Sequence, residues 1–304
     1  MTLLESTLTL PDGRDLGFAQ FGAPAAAETI FWLHGTPGAR RQIPFDARQH
    51  AEEAGVRIVG IDRPGIGWSS PHVHDNVLGF ARDLEALADH LGAESLHVVG
   101  LSGGGPYTLA AGAWMPDRVT SLGVIGGVAP TVGPDAVRGG LAALSRPLGP
   151  VAKVAGRPLG RVLSGAIRLA TPVAPQAIDA YRAVQPAGDR RLLGESDFRR
   201  MFVDDLTNGA RDQFSAIFAD VVLFGRDWGF RLADVRQPVR WWHGNDDHIV
   251  PFRHGEHCVS RLPDAELIPL AGEAHLGGLS LAKDIVGGLV PGAEVVDEVL
   301  HADD

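Results

Sequence analysis

Cysteine is nearly absent from this chain: Cys258 is the single one in 304 residues. One thiol cannot close an internal disulfide, so nothing calls for an oxidising compartment. Long apolar runs are absent too, since none reaches the roughly 18 residues of a membrane span. The opening "MTLLESTLTLPDGRD" has neither the basic start nor the apolar stretch of a secretory signal. The expectation is a cytoplasmic protein with no stable membrane insertion. Basic charge is in deficit, 27 Lys and Arg against 37 Asp and Glu, for a net charge of −10. That argues against a nucleic-acid partner, which needs a basic footprint. There is no internal repeat and no low-complexity tract. What remains is ordinary for a globular chain with a sizeable core, 45% hydrophobic and 21% charged.

One shortage is local. From Ala136 to Ile178 there is no acidic residue, while Arg138, Arg146, Lys153, Arg157, Arg161 and Arg168 all fall there. The favoured reading is a solvated basic face on lid helices. The sharper one is a surface that attracts an anionic substrate or an anionic membrane.

Apolar runs of strand length alternate with helix-like segments. "LLESTLTL" and "LGFAQFG" flank the turn "PDGR" and read as a hairpin. "TIFWLHG", "VRIVGID", "SLHVVG" and "VTSLGVIGG" read as strands, separated by helices over "FDARQHAEEAG", "DNVLGFARDLEALADHLG" and "YTLAAGAWM". The alternation lapses between about Pro130 and Leu232. It resumes with the strand "PVRWWHG", the helix "FRHGEHCVSRL", the strand "AELIPL" and a helix-like segment to the C-terminus. The pattern predicts an α/β fold: a mostly parallel central sheet flanked by helices, with an antiparallel start. The expected division is residues 1–130 and 233–304 as one core, with 131–232 inserted as a mainly helical cap.

The stretch that carries chemistry is "SLHVVGLSGGGPYT". A phosphate loop needs a lysine after its glycines and a dinucleotide loop needs G-x-G-x-x-G; neither is met. G-x-S-x-G is met by Gly100, Leu101, Ser102, Gly103 and Gly104, between a strand and a helix. Such an elbow holds the serine in a strained conformation, and the residues two before and two after it have no room for a Cβ. The Gly103 N–H then faces a developing oxyanion. A second donor is expected from "LHGTPG", with the Thr36 N–H as candidate. His34 and Gly35 are candidate substrate contacts, against a packed structural histidine at a strand-end turn.

A serine needs a base, and the base an orienting acid. After "VRWWHG" come Asp246 and Asp247, of which Asp247, next to "HIVP", is preferred; Asp135 is a weaker substitute. His275 follows the last strand. His243, His248, His254 and His257 match no zinc spacing, so no metal is expected.

Taken together, "HGTPG", "DRPGIGWSS", "GLSGGG", "HGNDDHIVP" and "GEAHLGG", in this order and each at a strand end, resemble the α/β-hydrolase superfamily. The resemblance implies a catalytic triad of Ser102, Asp247 and His275, an oxyanion hole at the Thr36 and Gly103 N–H groups, and a cap after the sixth strand. A serine disfavours haloalkane dehalogenases and epoxide hydrolases, which use aspartate. "DRPGIGWSS" reads as a structural turn, with Arg63 salt-bridged and Trp68 packed. Proline iminopeptidases share an H-G-x-P-G loop and hold the substrate amine with acidic cap residues, for which Glu195, Asp197, Asp204 and Asp205 are available. The expected activity is hydrolysis of a small or medium carboxylic ester, lactone or thioester through an acyl-enzyme, without cofactor, on a small-molecule substrate. Aminopeptidase-like and carbon–carbon bond hydrolysis, or ligand binding without turnover, are the alternatives. The oligomeric state is not legible.

Overall fold

A computed structural model describes residues 3–211 and 213–290. The chain opens with β1 (Leu3–Thr9), β2 (Asp15–Gly22) and β3 (Thr29–Leu33), then α1 (Phe45–Glu53), β4 (Arg57–Ile61), α2 (Gly79–His90), β5 (Leu96–Leu101), α3 (Gly105–Trp114) and β6 (Val119–Ile125). An insertion follows: α4 (Ser145–Ala170), α5 (Ala174–Ala183), α6 (Ala187–Leu192), α7 (Ser196–Gly209) and α8 (Ala216–Phe224). The sheet resumes with β7 (Val239–Gly244), α9 (Arg253–Val259), β8 (Ala265–Leu270) and α10 (Ala282–Leu289).

The strands form one sheet in the order β1-β2-β4-β3-β5-β6-β7-β8. β2 pairs antiparallel with β1 and β4; the other pairs are parallel. This is an α/β-hydrolase fold, with a helical region between two strands. β3, β4 and β5 are buried along their whole length, which is why they read as continuous apolar runs rather than alternations. Their side chains still alternate between two layers. Phe31 and Leu33 join Phe80, Leu84, Tyr107 and Leu109 on one face. Ile30 and Trp32 join Ala47, Ala51, Ile285 and Val286 on the other.

Two helix boundaries differ from expectation. The helix expected over "DNVLGFARDLEALADHLG" starts at Gly79, because the Asn76 carboxamide oxygen accepts the Gly79 N–H at 3.0 Å and holds the preceding residues in a turn. The last helix spans Ala282–Leu289; the rest of the helix expected to the C-terminus lies outside the described residues. The insertion is helical, as its composition suggested, but α4 is a single helix of 26 residues with Pro150 and Pro158 inside it. It presents Ala152, Gly156, Gly160 and Ser164 inwards. A Cβ on Gly156 would lie 2.7 Å from the Phe218 Cβ, and one on Gly160 would lie 2.6 Å from the Ser215 Cα. Small residues at a spacing of four therefore bring α4 and α8 into close contact.

Candidate active site

β5 ends at Leu101, and Ser102 takes φ 51°, the left-handed region that a side chain rarely occupies. A single 3-10 turn, Ser102–Gly104, leads into α3. The glycines flanking this turn are sterically required. A Cβ on Gly100 would sit 2.2 Å from the Thr108 Oγ1 and 2.6 Å from the Gly104 carbonyl oxygen. One on Gly104 would sit 2.3 Å from the Leu33 carbonyl oxygen. The turn sets the serine at the carboxyl end of a central strand, where open parallel sheets bind their ligands.

Two loops from the far side of the sheet meet Ser102 there. The His275 Nε2 lies 2.9 Å from the Ser102 Oγ, and the His275 Nδ1 lies 2.7 Å from the Asp247 Oδ2. With Asp247 accepting the Nδ1–H, the Nε2 lone pair is left to face the serine hydroxyl. The Asp247 Oδ1 accepts two backbone N–H bonds, from Ile249 and Val250, both at 2.9 Å. Burial opposes ionisation of Asp247, but hydrogen bonds from His243 and His275 and the Val250 N–H outweigh it and hold the carboxyl well below the usual carboxylate range. His243 is a residue the motifs did not single out. The Trp241 indole N–H donates to its Nδ1 at 3.1 Å, so its Nε2 carries the proton and donates to the Val250 carbonyl at 2.8 Å, with the Asp247 Oδ2 at 3.4 Å.

The Leu33–Gly38 loop packs against the same turn. A Cβ on Gly103 would approach the Thr36 Oγ1 to 2.2 Å, so Thr36 and Gly103 are neighbours. His34 does not present its ring to this space. It is 1% exposed, its Nδ1–H donates to the Gly35 carbonyl at 2.7 Å, and its Nε2 accepts the Arg63 N–H at 3.2 Å. Burial, and then the Arg63 charge, push its pKa well below the ordinary histidine value, so the ring is neutral. The Gly35 N–H is likewise committed, to the Gln42 Oε1 at 2.6 Å. The two expected substrate contacts are therefore tied up in supporting the loop, because the strand end they occupy is buried and its polar groups need internal partners.

Three buried carboxylates of the insertion reach these loops, and none sits in a motif. Asp220 on α8 accepts the Thr36 hydroxyl at 2.5 Å, the Tyr107 hydroxyl at 2.6 Å and the Arg63 guanidinium at 2.7 Å. The same guanidinium nitrogen, Arg63 Nη2, donates to the Gly35 carbonyl at 3.0 Å, and Nη1 donates to the His34 carbonyl. Asp205 on α7 accepts the Ala39 and Arg41 N–H groups, both at 2.9 Å. Asp189 on α6 accepts the Leu276 N–H at 2.8 Å, one residue beyond His275. Asp220 did leave a signal: it is the lone charged residue in "AIFADVVLF", an otherwise apolar helix.

The remaining candidates sit elsewhere. Asp246 is exposed, whereas Asp247 is 6% exposed. Asp135 holds Arg231 at 2.8 and 3.0 Å and the Leu232 N–H at 3.0 Å. The His257 Nε2 lies 2.8 Å from the Asp135 carbonyl oxygen. Among the described residues no group of three or more His, Cys, Asp or Glu side chains is arranged to hold a metal ion. Arg63 is indeed salt-bridged, and Trp68 stacks under the Arg40 guanidinium at 4.0 Å.

Residues 28–279 match the family model described as alpha/beta hydrolase fold. The chain belongs to this family. Its similarity to a 2-hydroxy-6-oxononadienedioate/2-hydroxy-6-oxononatrienedioate hydrolase of Paraburkholderia phymatum is 28% identity over 261 residues, 84% of each chain. In fold it is similar to the bromoperoxidase of Bacillus anthracis, with a TM-score of 0.66 at 20% identity over 94% of this chain and 98% of the other. It is also similar to a thermophilic esterase of Thermogutta terrifontis, with a TM-score of 0.61 at 18% identity over 95% and 97%. This α/β-hydrolase is a hydrolytic enzyme. No helix among its described residues is long and apolar enough to cross a membrane.

Proposed function

We propose that this α/β-hydrolase is a serine hydrolase that cleaves a small or medium carboxylic ester, lactone or thioester through an acyl-enzyme on Ser102. The observation that carries this is the unbroken hydrogen-bonded chain from the Ser102 hydroxyl through His275 to Asp247. In the reaction the Ser102 Oγ attacks the carbonyl carbon as its proton passes to the His275 Nε2. Asp247, held ionised, stabilises the imidazolium that forms. The Thr36 and Gly103 N–H groups receive the negative charge on the carbonyl oxygen. The His275 proton then leaves with the alcohol or thiol. Water, deprotonated by His275, attacks the acyl-enzyme and releases the acid and free Ser102. No step calls for a metal or an organic cofactor, and the α4–α8 insertion serves as the cap over this site.

Carbon–carbon bond hydrolysis is the second reading, favoured by the name of the Paraburkholderia relative. Its substrate is a dicarboxylate, which needs a free cation. Arg63, beside the Thr36 loop, is already committed to Asp220 and to the His34 and Gly35 carbonyls, which favours the ester. The aminopeptidase-like reading finds little support: Asp204 pairs with Arg41 at 3.0 Å, Asp205 holds backbone N–H groups, and Glu195 and Asp197 are exposed. The test is a panel of esters varied in acyl length and charge, run beside 2-hydroxy-6-oxononadienedioate. Ester turnover that vanishes in Ser102→Ala is expected. Turnover of the dienedioate alone would replace the ester by the second reading.

A further inference from the structure

We infer that the outer face of α4 is a docking surface for an anionic phospholipid bilayer. The helix is built inside out. Its buried positions include Ala152, Gly156, Gly160 and Ser164, and Leu163 and Ile167 are half-buried against the core, while most of its other branched aliphatic side chains point into solvent. Val154 and Leu169 are each 84% exposed, Val162 is 71% and Val151 is 62% exposed. Leu144 and Val173, just beyond the ends of the helix, extend the same exposure at 52% and 53%. A helix surface of this length held in water by large aliphatic groups is unusual, because contiguous exposed apolar patches mark contacts with another phase or another molecule.

Charge says which. With 3.6 residues per turn, Lys153, Arg157, Arg161 and Arg168 fall along one flank of the aliphatic stripe, between it and the buried face. Among the described residues none of these four is paired with a carboxylate; Arg157 and Arg168 reach only the Pro71 and Arg211 carbonyls, at 3.2 and 3.4 Å. No acidic residue occurs between Ala136 and Ile178, in a chain whose net charge is −10. An unpaired basic row beside a protruding Val and Leu stripe is the pattern of a helix that lies in a membrane interface. Its aliphatic tips enter the acyl boundary and its long cationic side chains reach headgroup phosphates. The body of the protein, carrying the negative charge, would be repelled by the same surface, so only this face can approach it. A second copy of the chain would cover the stripe without using the basic row, so the pattern favours the bilayer.

The test is flotation of the full chain with vesicles of phosphatidylcholine alone and of phosphatidylcholine mixed with phosphatidylglycerol. Two variants are compared, Val154→Glu/Leu169→Glu and Arg157→Gln/Arg161→Gln/Arg168→Gln, each first shown by circular dichroism and thermal unfolding to keep the wild-type fold. The wild type is expected to float with the mixed vesicles and not with phosphatidylcholine. Added salt should weaken the binding, and each variant should lower the bound fraction about tenfold. Wild type that stays behind with both vesicle types, or variants that float as well as wild type, would overturn the proposal. So would a dimer in sedimentation velocity that Val154→Glu/Leu169→Glu turns into a monomer, because a second copy would then cover the stripe.

Discussion

β5 and α4 place their side chains in opposite ways. β5 buries Leu96, Val98, Val99 and Leu101 and sets one polar residue, Ser102, at its end. α4 fully buries only alanine, glycine and serine and leaves Val151, Val154, Val162 and Leu169 outside. The sheet is held by apolar layers on both faces. Much of what joins the insertion to the site is directional: Asp189, Asp205 and Asp220 each take hydrogen bonds from a loop of the core. Apolar contact tolerates small shifts, whereas a buried carboxylate accepting an N–H fixes a distance and a direction. The contrast shows that the insertion is tied to the loops around Ser102 by directional bonds. It thereby sets the positions of the Thr36 loop and the His275 loop.

The most severe way to break this arrangement is Asp220→Ala. It leaves the Arg63 guanidinium, itself buried, without its counter-charge, and the expected loss is about 3–5 kcal/mol in urea unfolding. Asp220→Asn should lose less, because the carboxamide still accepts from one donor. Equal stability of wild type and Asp220→Ala would mean that the ion pair does not anchor the insertion.

A comparable effect, on the order of 4 kcal/mol over the full range, is expected from the titration of Asp205. Burial raises its pKa to about 7, opposed by the Ala39 N–H bond. An unfolded chain releases this proton near pH 4. Between these values the folded state holds a proton that the unfolded state has lost. Stability from this group is therefore greatest at low pH, falls as pH rises from about 4 to about 7, and is level above that. Unfolding of wild type and Asp205→Asn at about pH 5 and about pH 8 isolates it. Wild type should lose stability relative to the variant at the higher pH. A difference that does not change with pH would contradict the buried, protonated Asp205.

The least costly change is at Asp189. Asp189→Ala removes the acceptor of the Leu276 N–H, at a cost of about 1 kcal/mol. Its sharper readout is kinetic, a fall in kcat of about tenfold at unchanged KM as His275 loses its fixed position. Asp189→Asn, which keeps a carbonyl oxygen for Leu276, should restore most of the rate. A change in KM alone would point instead to a role in substrate contact.

What was legible in the sequence follows the same division. Gly100, Ser102 and Gly104 are read from local spacing, because the steric demands of the turn lie within a few residues. The order of Ser102, Asp247 and His275 is not local; it is read from the succession of strand-end motifs and the superfamily they resemble. Asp247 is preferred to Asp246 in the sequence only by its place next to "HIVP"; burial is what separates the two physically. His34 looked like a site residue because it stands in a motif, yet its ring nitrogens are used by the Gly35 carbonyl and the Arg63 N–H. The partners of Asp220 and Asp189 lie 184 and 87 residues away in the chain, a pairing that no local pattern encodes. In α4 the sequence shows a run of basic residues without acidic ones, but not that the valines face out. That follows only from the small residues that must meet α8.

The proposed reaction requires Ser102 to be an activated nucleophile. Intact-mass spectrometry after treatment with a fluorophosphonate, on wild type and on Ser102→Ala, measures this. A single phosphonyl adduct on the wild type that is absent from the folded variant is the predicted result. An unmodified wild type, or an adduct that persists in Ser102→Ala, would contradict it.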